Sequence, residues 1–447
     1  MLRVAVVGSG PSGVYTAESL TRQTAVPDVA VDVLDRLPCP YGLVRYGVAP
    51  DHEKIKSLQG ALRRVLEQPG VRFLGNVPVG GTGVSPARLL SLYHAVVYCV
   101  GASTDRHLGI PGEELPGSVS ATRFVSWYSA HPDTPPDGFT LDARSAVVIG
   151  VGNVAVDVAR VLARGAGELR HTDVPQAALR ALDASRVREV HMVGRRGPSQ
   201  AKFTTKELRE LGQLADVDVR VRPDELAMDP AAADPAALPA VARRNLEALR
   251  GWAERSARDL PRHIQLRFFL RPVELLGTDR VEAVRLERTV PDGRGAVAGT
   301  GRFEEIEAQL VLRSVGYRGV PLPGLPFDAE RGIVPNAAGR VLRNGVPSPG
   351  EYVAGWIKRG PTGVIGTNRP CAKETANSLL DDADRLVSRS LPNEPLDGLR
   401  ELGLDPVPWS GWLGIEAAEA ALGRTLDRGP VKIPDWAGLL AAARTAT

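Results

Sequence analysis

The chain opens with a short apolar run, a glycine-rich turn and a segment in which apolar residues recur at helical spacing. The run Leu2–Val7 is almost continuously apolar, which predicts a strand buried on both faces of a sheet. A helix from Val14 to Thr24 and a second apolar strand, Val29–Leu34, complete the pattern. A strand, helix and strand in this order predict a β–α–β unit with parallel strands.

The same pattern recurs once. A strand at Ser145–Ile149 precedes a helix from about Val154 to Ala163, and the next strand is Val190–Val193. An insertion of residues 164–186 separates that helix from that strand. The repeat predicts an α/β fold with two domains, the second inserted into the first.

The remaining segments give weaker signals. Residues 223–261 show helical spacing, prolines and glycines are frequent after Tyr317, and a helix-prone tail runs from Glu374 to the C-terminus. Further strands are expected at His263–Leu270, Arg280–Thr289 and Gln309–Ser314.

The first turn carries the spacing Gly8-x-Gly10-x-x-Gly13. In a dinucleotide-binding turn the first glycine allows the tight bend, the second lets the backbone approach a pyrophosphate, and the third permits close packing of helix on strand. The pyrophosphate would lie at the helix N-terminus. Asp35 ends the following strand, where a carboxylate accepts hydrogen bonds from ribose hydroxyls. The alternative is an ordinary turn between strand and helix.

The second turn reads Gly150-x-Gly152-x-x-Ala155, and no acidic residue ends its second strand. That strand is followed instead by Arg195 and Arg196, whose guanidiniums would attract a 2′-phosphate. This exchange of charge favours NADP over NAD. The alternative is a pair of solvated arginines on an exposed turn. Two dinucleotide sites on one chain indicate FAD at the first, NADP(H) at the second and hydride transfer between them.

Composition excludes other classes. With 43% hydrophobic residues and a net charge of +3, the 447-residue chain is typical of a globular protein with two or three domains and not of a nucleic-acid binder. Its three cysteines lack Cys-x-x-Cys spacing, which argues against a disulfide reductase or a zinc site. The absence of an apolar run of membrane length and of a leader predicts a cytoplasmic protein, without a membrane partner.

Four long segments occur in one order along the chain. Together they closely resemble the adrenodoxin-reductase-like ferredoxin–NADP(+) reductases, including their bacterial members, up to about Asp382. The segments are Pro40–His52, Gly194–Gln200 with Phe203–Leu211, Ser314–Gly319 and Gly355–Asn368.

The resemblance implies a fold like that of glutathione reductase, made of two Rossmann-like dinucleotide-binding domains. Residues 1–104 and 317–447 would form a split FAD domain with a C-terminal helical tail, and residues 105–316 an inserted NADP domain. It implies hydride transfer from NADPH to FAD, followed by one-electron transfer to an acidic iron–sulfur ferredoxin that feeds a sink such as a cytochrome P450. We expect a monomer.

Site residues follow from the resemblance by position. Those expected at FAD are Gly8, Gly10, Ser12, Gly13, Asp35, Leu43, Val79, Trp356, Gly363, Val364 and Ile365. Those expected at NADP are Gly150, Gly152, Asn153, Val154, Ala155, Val156, Arg195, Arg196 and Glu207, with Gly363 touching both cofactors. Asp35 stands where the family usually has glutamate, so its ribose contact could be longer.

Two residues match a pair that in this family lies near the junction of flavin and nicotinamide: His52 and Glu210. A histidine titrates near neutrality and suits proton handling. The alternative for His52 is a structural one, capping the helix that begins near Glu53.

The electron acceptor leaves several interpretations open. An acidic ferredoxin would be steered by a basic face, and the candidate for this face is a run of arginines in residues 243–258. The alternative is that this run is simply a solvated helix face. A flavin monooxygenase or diaphorase acting on a small molecule would use the same two cofactors. A nucleotide-sensing protein would bind them without turnover.

Overall fold

The computed structural model describes residues 1–391 and 394–445. It consists of two compact units. Residues Met1–Thr104 and Tyr317–Thr447 form one, called here the split unit, and residues Asp105–Gly316 form the other, the inserted unit. The chain therefore leaves the split unit once and returns to it once.

The strands are short, as is usual for α/β proteins. They are β1 (Leu2–Val7), β2 (Val29–Leu34), β3 (Val71–Gly75), β4 (Ala95–Tyr98), β5 (Thr104–Asp105), β6 (Ser118–Ser120), β7 (Ser145–Ile149), β8 (Glu189–Val193), β9 (Val217–Val221), β10 (Arg262–Arg267), β11 (Leu270–Leu276), β12 (Ala283–Pro291), β13 (Val297–Glu307), β14 (Leu310–Arg313), β15 (Tyr317–Arg318), β16 (Asn336–Ala337), β17 (Arg340–Arg343), β18 (Val346–Val353) and β19 (Val407–Pro408).

The α-helices range from single turns to seventeen residues. They are α1 (Pro11–Thr21), α2 (Leu43–Tyr46), α3 (Glu53–Lys56), α4 (Leu58–Leu66), α5 (Pro86–Leu92), α6 (Ala121–Tyr128), α7 (Asn153–Ala163), α8 (Ala166–Leu169), α9 (Gln176–Asp183), α10 (Thr205–Leu211), α11 (Pro223–Ala227), α12 (Ala240–Glu254), α13 (Trp356–Arg359), α14 (Asn368–Asp381), α15 (Ala383–Val387), α16 (Pro395–Arg400), α17 (Trp409–Thr425) and α18 (Trp436–Arg444).

The split unit is built on one sheet with the strand order β16-β17-β18-β4-β1-β2-β3-β19. Its strands from β18 to β3 are parallel. The chain passes from β1 to β2 on one side and later returns to β4 on the other. The carboxyl end of β1 is therefore the point where the strand order reverses, and in open α/β sheets ligands bind at that point.

The inserted unit repeats this plan. Its six strands follow the order β6-β14-β7-β8-β10-β9, and every neighbouring pair is parallel. Strand β7 lies between β14 and β8, so the order reverses beside β7 as it does beside β1. An antiparallel meander, β11-β12-β13, lies in the chain between the parallel strands β10 and β14.

Consecutive apolar residues that pack on alternate faces of the sheet explain why β1 and β7 are central strands. Val4 and Val6 pack into one apolar cluster of the split unit, whereas Ala5 and Val7 pack into the cluster on the opposite face. In β7, Ala146 and Val148 likewise belong to one cluster, and Val147 and Ile149 to another. A strand covered on both faces needs apolar residues at consecutive positions, which is the pattern that predicted both strands.

Several expected bounds are corrected. Helix α1 ends at Thr21 and not Thr24. The expected strand His263–Leu270 is divided into β10 and β11 at Phe269, which has φ +55° and so breaks the extended backbone. Strand β13 was not expected, because its glycine- and glutamate-containing sequence lacks apolar alternation; its backbone pairing with β12 forms it.

The C-terminal tail closes the split unit with buried charges. The guanidinium of Arg45 lies 2.6 Å from the Glu419 carboxylate on α17, with side chains only 5% and 6% exposed. It also lies 5.0 Å from the ring centroid of Trp412. Lys432 Nζ donates to the Arg45 carbonyl over 2.7 Å. The tail is thus bound to the Pro40–His52 segment.

No helix in the described part of the chain is long and apolar enough to cross a membrane.

Replacing Glu419 by alanine removes the counter-charge of a buried guanidinium. We expect a loss of about 3–5 kcal/mol in the free energy of unfolding, because an unpaired buried charge is costly. Urea unfolding followed by tryptophan fluorescence measures it. The control is Asp405→Asn, which removes a pair with Arg444 whose two side chains are 73% and 69% exposed, and it should cost less than about 1 kcal/mol. Equal losses in the two variants would contradict the interpretation.

Candidate functional site

The glycine turn after β1 holds two glycines that the fold itself requires. Gly8 has φ +109°, and a Cβ there would lie 2.5 Å from the Cys99 carbonyl oxygen. A Cβ on Gly13 would lie 1.8 Å from the Gly8 carbonyl oxygen. Gly10 differs, since its φ of −70° suits any residue and the nearest protein atom to its Cβ would be Gly42 Cα at 3.8 Å. The protein leaves open the space next to Gly10.

Helix α1 presents its N-terminus to this space. Gly10 occupies the N-cap position and has no side chain with which to cap the helix. The first helical bond runs from Val14 N to the Gly10 carbonyl over 3.0 Å, so the N–H groups of Ser12 and Gly13 have no acceptor within the helix. Free N–H groups and the helix dipole together favour an anion such as a pyrophosphate.

Asp35 holds the glycine turn itself. Its Oδ2 accepts hydrogen bonds from Ser9 N over 2.8 Å and Ser9 Oγ over 2.5 Å, and its Oδ1 accepts from Leu37 N over 2.9 Å. Burial raises the pKa of the Asp35 carboxyl although these donors oppose the shift. The sequence predicted a ribose contact here but did not indicate the bond to Ser9. The carboxylate of Asp35 therefore stabilises the turn through these bonds, and only its remaining lone pairs can accept from a ribose.

Two buried donors near this turn lack acceptors among the residues that the structure describes. Trp356, the first residue of α13, has a buried Nε1 without a hydrogen-bond partner, and its ring lies 5.4 Å from that of Tyr317. The buried Ser12 hydroxyl has no hydrogen-bond partner by geometry and lies beside the Cys99 thiol, a weak acceptor. A bound group with acceptor atoms would satisfy both donors, as expected for FAD.

The other residues expected at the flavin are placed as follows. Leu43 begins α2 and is 38% exposed, unusual for a leucine in a buried segment. Val79 is half-buried and forms a bridge with Val84. Gly363, with φ +81°, and Val364 are exposed, and Ile365 is half-buried.

The turn after β7 repeats the arrangement of glycines. Gly150 has φ +142°, and a Cβ there would lie 2.2 Å from the Ser314 carbonyl oxygen. A Cβ on Gly152 would have no protein atom within 4 Å. Ala155 takes the third position and is fully buried. The middle glycine again leaves space that the protein does not use.

The first turn of α7 has distinct roles for its residues. Asn153 Oδ1 accepts a hydrogen bond from Thr204 N over 2.8 Å, which ties α7 to the residue that caps α10. Val154 is half-buried against the apolar core, and Val156 is fully buried within it. The side chain of Val156 therefore packs in the core, and its expected cofactor contact could involve only its backbone.

Arg195 and Arg196 lie directly after β8. Arg195 is exposed and Arg196 half-buried. Within residues 1–391 and 394–445, neither guanidinium forms an ion pair, unlike many other arginines of the inserted unit. Two unpaired guanidiniums at the ribose end of a dinucleotide turn are available for a phosphate.

The candidate proton-handling residues lie in different units. His52, in the split unit, is 5% exposed and occupies the N-cap position of α3. Its carbonyl accepts from Ile55 N and Lys56 N, so His52 caps α3 through its backbone, whereas its side chain makes no capping bond. On α10 of the inserted unit, Glu207 is buried and Glu210 interacts with Lys206 Nζ at 3.5 Å and with the buried Arg160 at 3.8 Å.

The candidate basic face is smaller than the sequence indicated. Its five arginines are Arg243, Arg244, Arg250, Arg255 and Arg258. Arg255 and Arg258 both bind Asp218, which is only 1% exposed, and a third donates to a backbone carbonyl. Of the five guanidiniums, only those of Arg243 and Arg244 make no hydrogen bond or ion pair within the described part of the chain. Sequence reasoning missed Asp218 because it lies on β9, distant in the chain.

Comparisons with known proteins show which family this chain is similar to. The family model of pyridine nucleotide-disulphide oxidoreductases matches residues 2–222. NADPH-ferredoxin reductase FprA of Mycobacterium tuberculosis is 47% identical over 454 residues, with 98% of each chain covered. The chain belongs to this reductase family. The mitochondrial NADPH:adrenodoxin oxidoreductase of Arabidopsis thaliana is 41% identical, with 99% of this chain and 95% of that one covered. The solved structure of Mycobacterium tuberculosis FprA in complex with NADPH matches with a TM-score of 0.93 over 99% of each chain.

The two glycines of the first turn should respond differently to alanine. Gly10→Ala meets no protein atom closer than 3.8 Å, so we expect the fold to be kept and flavin to be lost, because the new methyl group occupies the space for the pyrophosphate. Gly13→Ala places its methyl 1.8 Å from a carbonyl oxygen and should lower the melting temperature as well. Flavin content is read from the visible absorbance of the purified protein, and melting from circular dichroism. Full flavin content in Gly10→Ala would refute the assignment.

Proposed function

We propose that the protein is an NADPH–ferredoxin reductase that uses FAD. The observation that carries the proposal is the contrast in charge between two otherwise similar turns. Asp35 follows β2, whereas Arg195 and Arg196, which form no ion pair among the described residues, follow β8. The relatives whose names include NADPH and ferredoxin cover nearly the whole chain. FAD supplies the chemistry that connects these partners, since it accepts a hydride and releases electrons singly.

In this proposal the split unit binds FAD. The N–H groups of Ser12 and Gly13 face the pyrophosphate, and Gly10 leaves room for it. Asp35 accepts from the ribose with the acceptor capacity that Ser9 and Leu37 leave. The remaining contacts are those expected of Leu43, Val79, Trp356 and the backbone of Gly363, Val364 and Ile365.

The inserted unit binds NADP(H). Gly150, Gly152 and Asn153 form the turn that faces its pyrophosphate, and Arg195 with Arg196 binds the 2′-phosphate. A guanidinium matches a phosphate bidentately and always carries its charge. Glu207, buried on α10, is the further residue expected to contact the cofactor.

His52 and Glu210 are proposed to handle protons beside the reacting groups. The backbone of His52 caps α3, and its buried imidazole is the group to which we assign the proton-handling role. The positive charges of Lys206 and Arg160 lie beside the Glu210 carboxylate. They restrict the positions that the Glu210 side chain can take. Both assignments stay predictions.

The electron acceptor is proposed to be an acidic iron–sulfur ferredoxin, reduced by a monomer of this protein. Arg243 and Arg244, on α12, are the part of the basic run that can attract such a partner. The three cysteines are buried and free, as in a reducing compartment. We therefore place the reaction in the cytoplasm.

The proposed activity is tested with several electron acceptors. With NADPH and a purified acidic ferredoxin, cytochrome c should be reduced only when ferredoxin is present, and the rate should fall as salt screens the charges. Ferricyanide should be reduced without ferredoxin. The control for salt is a neutral quinone acceptor at saturating NADPH, whose reduction rate should not follow the screening of the ferredoxin-binding charges. Rapid oxidation of NADPH with dioxygen alone would indicate a monooxygenase, and absence of turnover with ferricyanide would indicate a nucleotide-sensing protein.

The Arg195→Gln/Arg196→Gln double variant should bind NADPH poorly. Losing charge-assisted bonds of about 1.5–3 kcal/mol should raise KM for NADPH roughly tenfold to a hundredfold. KM for NADH should change little, because NADH lacks the 2′-phosphate. Ferricyanide reduction at varied NADPH and NADH measures both values. Arg243→Gln/Arg244→Gln serves as the control of equal charge change, and equal rises of both KM values in the Arg195→Gln/Arg196→Gln variant would refute the assignment.

A further inference from the structure

The turn that carries Arg195 and Arg196 depends on support from elsewhere. Its two guanidiniums have no ion-pair partner among the described residues, and Arg195 is exposed. A mobile turn would lose backbone and side-chain entropy when it bound a phosphate, and affinity would fall accordingly. The groups that hold the backbone of this turn therefore influence how well it binds.

The meander supports one side of the turn. Leu270 N donates to the Gly194 carbonyl over 3.1 Å, and Phe269 N donates to the Arg196 carbonyl over 3.3 Å. Between these two bonds, Thr289 Oγ1 donates to the Arg195 carbonyl over 2.8 Å. Any residue except proline can supply the first two bonds, because they come from the backbone. The bond to Arg195 alone needs a particular side chain.

Thr289 is a rigid donor. It is fully buried, and its own N–H donates to the Phe269 carbonyl over 2.9 Å. The register of β12 against β13 shifts between Glu287 and Thr289, and such irregularities redirect a side chain from its regular position. The β-branched side chain also has few rotamers.

The other side of the turn is held by Asp229. This carboxylate is 2% exposed and accepts from Ser199 N over 2.8 Å. A Cβ on Gly197 would lie 2.6 Å from both Asp229 Oδ2 and Phe269 Cζ. Asp229 and the meander thus confine the turn from two directions. Changing Asp229 would alter a buried charge, whereas Thr289 can be changed to the isosteric valine without altering charge.

We propose that Thr289 is a positioning residue for the selection of NADPH over NADH. Its hydroxyl fixes the Arg195 carbonyl, and thereby the direction from which the two guanidiniums reach the 2′-phosphate. The proposal rests on the proposed role of Arg195 and Arg196. Thr289 itself touches no cofactor and acts through the turn.

Thr289→Val removes the donor and keeps the volume. KM for NADPH should rise roughly three- to tenfold, the effect of one neutral hydrogen bond. KM for NADH and kcat with ferricyanide should stay unchanged, because neither depends on the 2′-phosphate. Thr289→Ser, which restores the hydroxyl, should return KM for NADPH close to that of the wild type. A purely structural role would instead lower the melting temperature and change both KM values alike.

The matched control is Thr300→Val. Thr300 Oγ1 donates to the Arg288 carbonyl, directly before Thr289, over 2.8 Å and accepts from Arg302 N over 3.3 Å. The variant therefore loses a threonine bond of the same kind beside Thr289 but keeps the bond to Arg195. This variant should leave the ratio of the two KM values as in the wild type. Thr289→Val with that ratio unchanged would overturn the proposal. So would an equal change of the ratio in Thr300→Val.

Two further measurements distinguish a failure of this proposal from a failure of the proposed role of Arg195 and Arg196. If Thr289→Val does not fold, binding of adenosine 2′-phosphate to Thr289→Ala is measured by calorimetry; weaker binding than to the wild type supports the proposal, and equal binding overturns it. The Arg195→Gln/Arg196→Gln variant is assayed in parallel. If it keeps its preference for NADPH, the proposed role of the arginines fails, whereas a failure of Thr289→Val alone leaves that role intact.

Discussion

The structure depends on a close approach of two backbones at one place in each parallel sheet. Gly8 follows β1 and its missing Cβ admits the carbonyl of Cys99, which follows β4. Gly150 follows β7 and admits in the same way the carbonyl of Ser314, which follows β14. In both sheets that carbonyl comes from the neighbouring strand on the side away from the β–α–β crossover. The two turns therefore bring the N-termini of α1 and α7 to equivalent positions beside the strand reversal.

The charged side chains beside these equivalent turns have opposite signs. The hydrogen bonds around each turn explain how its charged groups stay available to a ligand. The carboxylate of Asp35 is part of its turn, bound to Ser9 and Leu37. The backbone carbonyls of Arg195 and Arg196 accept hydrogen bonds from Thr289 and Phe269, whereas their guanidiniums form no ion pair with any residue that the structure describes. A carboxylate that binds N–H groups retains lone pairs for ribose hydroxyls, whereas an ion pair would neutralise the charge of a guanidinium and weaken its attraction for a phosphate. The two units can thus share one fold and select different dinucleotides.

Local sequence was sufficient for the parts of the molecule that depend on local rules. The bounds of β1, β2 and β7 follow from apolar runs, and the glycine positions follow from spacing. The bonds that position the site were not predictable, because they join residues far apart in the chain. Thr289 contacts Arg195 across 94 positions, and Asp229 contacts Ser199 across 30. Nothing near Asp218 indicated that it would neutralise two arginines of the expected basic face.

The buried pair of Arg45 and Glu419 has a consequence for the order in which the protein is completed during synthesis. Domains tend to fold as units while the chain emerges from the ribosome. The inserted unit is one continuous stretch and has all its strands once Arg313 has emerged. The split unit contains the first strand made, yet Arg45 acquires its counter-charge only from α17, near the end of the chain. The unit that begins first is therefore the one that finishes last, and a nascent chain must keep an unpaired arginine hydrated until its final helices arrive.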